Sequence, residues 1–574
     1  MQDAMNWLAR DPDPRTREEL QHLIDEGMHD ELEDRFSQRL EFGTAGLRGK
    51  VGCGPNRMNR LVIQETATGL GHYLIEHVAN ASIRGVVVGY DGRLDSKQFA
   101  IDTASVLTAL GIKVYLTSDV AATPIVAFGI EHFNAAAAVV VTASHNPPEY
   151  NGFKVYWENG AQIIPPHDAG IAGEIDIAST KPIPLMSLSD AETQGKLVWL
   201  TEGYYQTYRA AINQSPYVNN ALESANTTIT YTAMHGVGAK MAEDLLHDAG
   251  FHKVFSVAEQ REPDGNFPTV NFPNPEEKGA MDLVVNLAKS VDADIACAND
   301  PDADRFAVAV RTDNTARTDD ASYKMLTGDQ VGVLFAHYLL SKPHTKNQLV
   351  GNSIVSSTLL EKVAQSHGAT YFQTLTGFKW LANIGMQLED EQNEFLFAYE
   401  EALGYTIGTQ VRDKDGLSAI VVFAQLVEEL KSQGRTVWDL LAQISFEHGV
   451  HTNAQRSIAL DPDSPSIGSK LRAAQPNAIN GVAISVIEDL QSSLRFVIGG
   501  NTEAINLPSS DVLIYHLEDG TRIIVRPSGT EPKVKVYYET VTKFEGTETY
   551  EDTRLRGEED MNKLIEQHQQ ELNA

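Results

Sequence analysis

Short runs of purely apolar residues alternate with longer amphipathic stretches along most of the chain. GVVVGYD (85–91) has the length and β-branched content of a buried strand, and QFAIDTASVLTAL (98–110) has the three-and-four spacing of a helix. The strand KVYLTS, the helix TPIVAFGIEHF and the strand AAVVVTAS continue the alternation. A similar series restarts at TTITYTAM (227–234) and runs to ADIACAND (293–300), and a third runs from QLVGNSIVSS to EFLFAYE (394–400). Strands alternating with helices predict α/β units. Beyond residue 480 the period changes to two: SLRFVIGG, DVLIYHLEDGTRIIVRPSG and KVKVYYET read as strands, with Asp519-Gly520 as a hairpin turn. The predicted fold class is therefore α/β, three related α/β mixed-sheet domains plus a smaller C-terminal α+β domain. The expected boundaries are a solvated helical arm over 1–40 and domains over 41–205, 206–322, 323–450 and 451–574.

Length agrees, since 574 residues at about 150 per domain make roughly four domains. The longest apolar run, near 134–143, is far shorter than the ~20 residues of a membrane span. The first twenty residues lack a basic-then-apolar signal pattern. Two cysteines, Cys53 and Cys297, argue for a reducing compartment and against a disulfide framework or zinc site. The net charge of −32 opposes nucleic-acid binding. A soluble cytoplasmic protein without nucleic-acid or membrane partners is expected.

Polar punctuation at the strand ends is the candidate chemistry, because ligands of open α/β sheets bind at the carboxyl ends of strands. AAVVVTAS stops at Ser144 in TASHNPPEYNGFKVYW (142–157), with Lys154 downstream. NDPDADRFAVAV (299–310) sets Asp300, Asp302 and Asp304 at alternate positions on one loop, hard oxygen ligands that suit Mg²⁺ or Ca²⁺. An EF-hand is excluded, because Arg305 and Arg311 occupy its glycine and glutamate positions. RPSGTEPKVKVY (526–537) groups Arg526, Ser528, Gly529 and Thr530, the parts of a phosphate cradle. EFGTAGLRGK (41–50) is a second glycine-rich cationic loop, bearing Arg48; Thr44 and Val51 exclude a Walker A loop. HGVGAKM (235–241) reads as a strand-to-helix turn rather than a dinucleotide fingerprint, since Met241 stands at the third glycine position. Lys379 in TLTGFKW, Glu400 in YEEALGY, and Arg412 and Lys414 in VRDKDG mark further strand ends. His145 reads as a loop-shaping residue pointing away from Ser144, and no G-x-S-x-G elbow surrounds that serine.

The order of GTAGLRG, TASHNPPEYNGFKVYW, MHGVG, DPDADR, LTGFKW, YEEALGY and RPSGTEPKVKVY resembles the α-D-phosphohexomutase superfamily, in its phosphoglucomutase/phosphomannomutase branch, over residues 41–540. The length is most similar to the longer phosphoglucomutase/phosphopentomutase-like subgroup. The resemblance implies four domains around a central cleft and a mutase interconverting hexose 1-phosphate and hexose 6-phosphate, with glucose expected before mannose. It implies Ser144 as a phosphoserine and Asp300, Asp302 and Asp304 as Mg²⁺ ligands completed by the serine phosphate. Arg48 and Arg305 would neutralise the transferred group, and Lys154 or Lys379 would serve as acid/base, Lys154 favoured with a lowered pKa. Arg526, Ser528, Gly529 and Thr530 would grip the phosphate that is not reacting, and a sugar 1,6-bisphosphate such as glucose 1,6-bisphosphate would be intermediate and activator. The sugar loop departs from the branch: Glu400 is present, but Ala402 stands where many members have serine. A phosphopentomutase, a sugar 1,6-bisphosphate synthase and a non-catalytic binding paralogue are the alternatives.

Overall fold

The structure, a computed structural model, describes residues 2–218, 224–312, 322–459, 467–527 and 533–573. The chain divides into two compact units. The first comprises 1–328, 378–388 and 395–434; the second comprises 329–377, 389–394 and 435–574.

Two mixed sheets of the first unit repeat one plan. In the six-stranded sheet, Val86–Tyr90 pairs in parallel with Ala137–Val141 and with Val114–Thr117, which pairs in parallel with Leu197–Leu200. Tyr150–Trp157 then returns antiparallel to Ala137–Val141, and Leu47–Lys50 closes the edge against it. Every residue of Ala137–Val141 is fully buried, as expected of a parallel strand covered on both faces; helices Ser96–Ala109 and Thr123–Phe133 pack against this sheet. In the five-stranded sheet Ile295–Ala298 lies parallel to Ile229–Thr232, and Ala307–Arg311 returns antiparallel. A third return joins Asn393–Glu400 to Gly404–Ile407. In each case a loop at a carboxyl strand end precedes an antiparallel strand, so the serine, aspartate and glutamate loops are topological equivalents.

The amino-terminal arm differs from the solvated helix expected. Pro12 and Pro14 break it, since proline cannot continue a helix, giving Gln2–Arg10 and Pro14–Asp25, followed by His29–Phe36. Ala4, Trp7, Leu20, Leu23 and Leu32 are buried in the core of the first sheet, and Trp7 meets Phe36 edge-on. Arg10 and Arg39 both pair with buried Glu65. Among the described residues, no helix is long and apolar enough to cross a membrane.

In the second unit, Asn347–Ser353 and Thr370–Thr374 run parallel. The carboxy-terminal sheet is antiparallel, in the order Val450–Ala459, Lys533–Thr542, Arg522–Pro527, Leu513–Leu517, Val482–Asp489, Leu494–Val497 and Thr502–Ala504. Its Leu513–Leu517 to Arg522–Pro527 hairpin turns at Asp519-Gly520, as the sequence predicts. Met561 and Ile565 of the helix Tyr550–Asn573 complete its core with Ile523, Val525, Val536 and Tyr538. Buried Glu539 is ion-paired to Arg522 at 2.8 Å, is bonded to His451 Nδ1 at 2.8 Å, and accepts Ser357 Oγ at 2.6 Å and the Thr358 amide at 2.9 Å.

Candidate active site

The serine loop and the aspartate loop, ending equivalent strands of the two sheets, converge. Ser144 is buried in a left-handed conformation, φ 49°. Its amide donates to Thr142 Oγ1 at 2.8 Å, and its hydroxyl donates to Asp300 Oδ2 at 2.7 Å. The backbone turn also brings His145 Nδ1 to 3.3 Å from Ser144 Oγ, so the two side chains do not point apart as expected. Burial and the facing cations Arg305 and Arg48 lower the His145 pKa to about 2, leaving a neutral ring that is a very weak base.

Asp300, Asp302 and Asp304 are all buried, with one carboxylate oxygen from each within 4.8 Å of the others. Asp302 Oδ2 accepts Thr123 Oγ1 at 2.6 Å and Lys154 Nζ at 2.7 Å. Asp304 Oδ2 accepts Lys154 Nζ at 2.9 Å and faces Lys414 Nζ at 3.3 Å. The Oδ1 atoms of Asp302 and Asp304 are buried without a hydrogen-bond partner, a costly state for carboxylate oxygens unless a cation completes them. Burial, and then the charges of Asp302 and Asp304, push the Asp300 pKa well up. Burial also works against ionised Asp302, but Lys154 and the bonds from Asp300 and Thr123 outweigh it and hold that pKa down. Three carboxylates, two orphaned oxygens and an adjacent hydroxyl fit a hard divalent cation bound by oxygen.

Lys154 departs from the lowered pKa expected. Burial opposes its charge, but it faces Asp302 and Asp304 directly, and they raise its pKa above the ordinary lysine value. Lys414, which the sequence marked only as polar punctuation, has the same surroundings: burial is outweighed by Asp304 and Asp413. Its stem crosses Gly404, where a Cβ would lie 2.4 Å from Lys414 Cδ. No local pattern could have placed it at the triad, because its triad partner Asp304 lies 110 positions away (Asp304 to Lys414).

The other loops support this centre. The HGVGAKM segment is a strand-to-helix turn between Ile229–Thr232 and Ala239–Asp248. Its Val237 amide donates to the Pro301 carbonyl at 2.9 Å, and a Cβ on Gly236 would lie 2.4 Å from Pro301 Cα. Arg305 forms a backbone bridge to Gly404, and the Phe306 amide donates to the Leu403 carbonyl at 3.1 Å, which brings the Glu400–Ala402 turn beside the aspartate loop. The Arg305 guanidinium lies 3.8 Å from Glu276. Arg48, on Leu47–Lys50, reaches Asn146 Oδ1 of the serine loop at 3.1 Å. Lys379 donates to Thr44 Oγ1 on the GTAGLRG loop. Arg526 is half-buried on Arg522–Pro527 in the second unit, opposite Lys535. Ser528, Gly529 and Thr530 lie outside the described residues.

The sequence matches, in order, four domains of one family: phosphoglucomutase/phosphomannomutase alpha/beta/alpha domain I over residues 39–181, domain II over 205–313, domain III over 327–445, and the C-terminal domain over 473–555. It is 39% identical to a "Probable phosphomannomutase" of Haemophilus influenzae, covering 84% of this chain and 92% of that one. It is 36% identical to a "Probable phosphoribomutase" of Schizosaccharomyces pombe, covering 92% of each. The crystal structure of the exocytosis-sensitive phosphoprotein pp63/parafusin from Paramecium, in its open form, shares the fold. Its TM-score is 0.68 at 18% identity, covering 92% of this chain and 95% of that one.

Proposed function

Because the chain belongs to the phosphoglucomutase/phosphomannomutase family, whose members are mutases, and is an isomerase of that kind, we propose that it moves a phosphoryl group between the 1-position and the terminal hydroxyl of a sugar phosphate with Ser144 as carrier. The observation that carries this reading is the Ser144 hydroxyl bonded to Asp300 at 2.7 Å, on the edge of the buried carboxylate triad. Asp300, Asp302 and Asp304 would hold Mg²⁺, with an oxygen of phosphorylated Ser144 as a further ligand. The ion would supply charge neutralisation at the transferring phosphoryl.

In the forward step the sugar oxygen bonds to phosphorus, and the bond from phosphorus to Ser144 Oγ breaks. The sugar hydroxyl gives up its proton, and the released Oγ takes one up. Lys154, donating into the triad from Tyr150–Trp157, is the proposed proton relay, with Lys379 as a second active-site lysine. Arg48 and Arg305 offset the charge of the group in flight. The resulting sugar 1,6-bisphosphate reorients and returns its other phosphate to Ser144. Arg526 with Ser528, Gly529 and Thr530 is proposed to grip the phosphate at rest, and Glu400 to bind sugar hydroxyls beside Ala402. Two buried thiols without a disulfide support a reducing, cytoplasmic location.

A hexose phosphate, glucose before mannose, is the proposed substrate. A pentose phosphate is the second reading, favoured by Ala402, which offers the sugar no side-chain hydroxyl beside Glu400. A coupled assay with glucose, mannose and ribose phosphates, with and without glucose 1,6-bisphosphate, tests both. Turnover of none of the three would contradict the proposal.

A further inference from the structure

Ser144 holds a positive φ of 49°, a conformation that costs a non-glycine residue about 1–2 kcal/mol and persists only where its surroundings impose it. One side chain outside the motifs above grips the turn in which Ser144 sits. The Arg93 guanidinium is buried beneath the serine loop and spends its donors on that loop's carbonyl oxygens. Nη2 donates to Ser144 O and Asn146 O, both at 2.6 Å. Nη1 donates to Pro147 O at 2.8 Å and Tyr150 O at 3.0 Å. Nε faces Asp91 Oδ2 in an ion pair at 3.2 Å without the alignment of a hydrogen bond, so the loop carbonyls take the two terminal nitrogens and Asp91 balances the charge.

The contacts close a ring. Asp91 Oδ1 accepts Ser96 Oγ at 2.6 Å and the Arg93 amide at 3.0 Å. Ser96 Oγ accepts Asn151 Nδ2 at 3.0 Å, and Asn151 is the second residue of the strand that leaves the serine loop. The Phe267 ring covers the guanidinium at 5.1 Å. Four carbonyls spread over seven residues converge on one planar group, a geometry that the single ammonium of lysine cannot reproduce.

We infer that Arg93 is a positioning residue for phosphoryl transfer: by clamping the carbonyls of residues 144–150 it holds Ser144 Oγ against Asp300. This rests on Ser144 being the phosphoryl carrier. Buried Arg93 commits its terminal nitrogens to loop carbonyls rather than to a ligand, so it should set the rate of transfer and leave substrate affinity alone.

The test compares wild type with Arg93→Lys and Arg93→Gln in steady-state turnover of glucose 1-phosphate, or of whichever sugar phosphate wild type turns over. A second measurement is the rate at which dephosphorylated protein gains one phosphate on Ser144 from glucose 1,6-bisphosphate, read by intact mass. Since misplacement by about 1 Å can cost a hundredfold in rate, kcat and the phosphorylation rate should both fall by roughly that factor, with KM changed less than about threefold. Free guanidinium should partly restore Arg93→Gln. If neither variant folds, Asp91→Asn, which keeps the arginine and loosens its fork, should lower both rates at least about threefold. Wild-type phosphorylation and turnover rates in folded Arg93→Lys would overturn the inference, as would a rise in KM at unchanged kcat. Wild type that never gains phosphate on Ser144 would instead overturn the carrier assignment on which it rests.

Discussion

The hydroxyl of Ser144 lies 2.7 Å from Asp300 Oδ2, although 156 positions separate the two residues. Each lies in the loop that follows a strand and precedes its antiparallel return, one in each of the first two sheets. Equivalent points of two α/β units thus supply the proposed phosphoryl carrier and its metal site.

The triad predicts a metal-dependent stability as well as a metal-dependent activity. Chelation should abolish turnover and Mg²⁺ should restore it. Mg²⁺ at about a hundred times its Kd should stabilise the wild type by about 2.7 kcal/mol. Asp300→Asn removes one of three mutually repelling buried carboxylates, so in chelator its Tm should equal or exceed that of wild type, with no gain on adding Mg²⁺. Thermal melts in both conditions check this, and full wild-type activity in excess chelator would contradict the metal assignment.

Glu539 carries a pH prediction for the second unit. Burial opposes its charge, but Arg522 and His451 outweigh burial and hold its pKa well below the ordinary glutamate range. A carboxylate depressed on folding contributes stability that is present above its unfolded pKa and is lost as pH falls below it. At pH 7, Glu539→Gln should lose about 3–5 kcal/mol, the usual result of breaking a buried pair. The gap in Tm between variant and wild type should narrow progressively below pH 4.5. A gap constant from pH 7 to pH 3 would show that the ion pair is not its source.

Trp7 tests the arm. It is 5% exposed and packs into the core of the first sheet, so Trp7→Ala should destabilise by about 3–5 kcal/mol. KM in folded protein should not change. A denaturant midpoint equal to wild type would mean that the arm is a solvated appendage.

Ala402→Ser would restore the hydroxyl beside Glu400. If that hydroxyl meets a hexose, the bond contributes about 0.5–1.5 kcal/mol. The ratio of kcat/KM for glucose 1-phosphate over ribose 1-phosphate should then rise about two- to tenfold. An unchanged ratio would remove position 402 from sugar selection.

How much of this was legible in the sequence follows from how local each signal is. Ser144, the aspartate loop and the three strand-helix series are contiguous motifs, and alternation with Gly and Pro punctuation marks them. Lys414 and Arg93 are single cations in ordinary turns beside a local aspartate, and the partners that give them a role, Asp304 and the serine-loop carbonyls, lie on other elements, so only the fold selects them. His145 was misplaced because the left-handed turn at Ser144 is not encoded by a glycine. The arm reads as solvated because charged residues and the break at Pro12 and Pro14 separate Ala4 and Trp7 from Leu20 and Leu23, which meet in one buried core only in the folded chain.

The central claim is that Ser144 carries the phosphoryl group, and intact-mass analysis of purified protein incubated with glucose 1,6-bisphosphate and Mg²⁺ tests it most directly. Wild type should gain one phosphate that peptide mapping places on Ser144, and should lose it to glucose 6-phosphate. Folded Ser144→Ala should gain none and should lose nearly all turnover. Substantial turnover by Ser144→Ala, or wild-type protein phosphorylated elsewhere, would contradict the account.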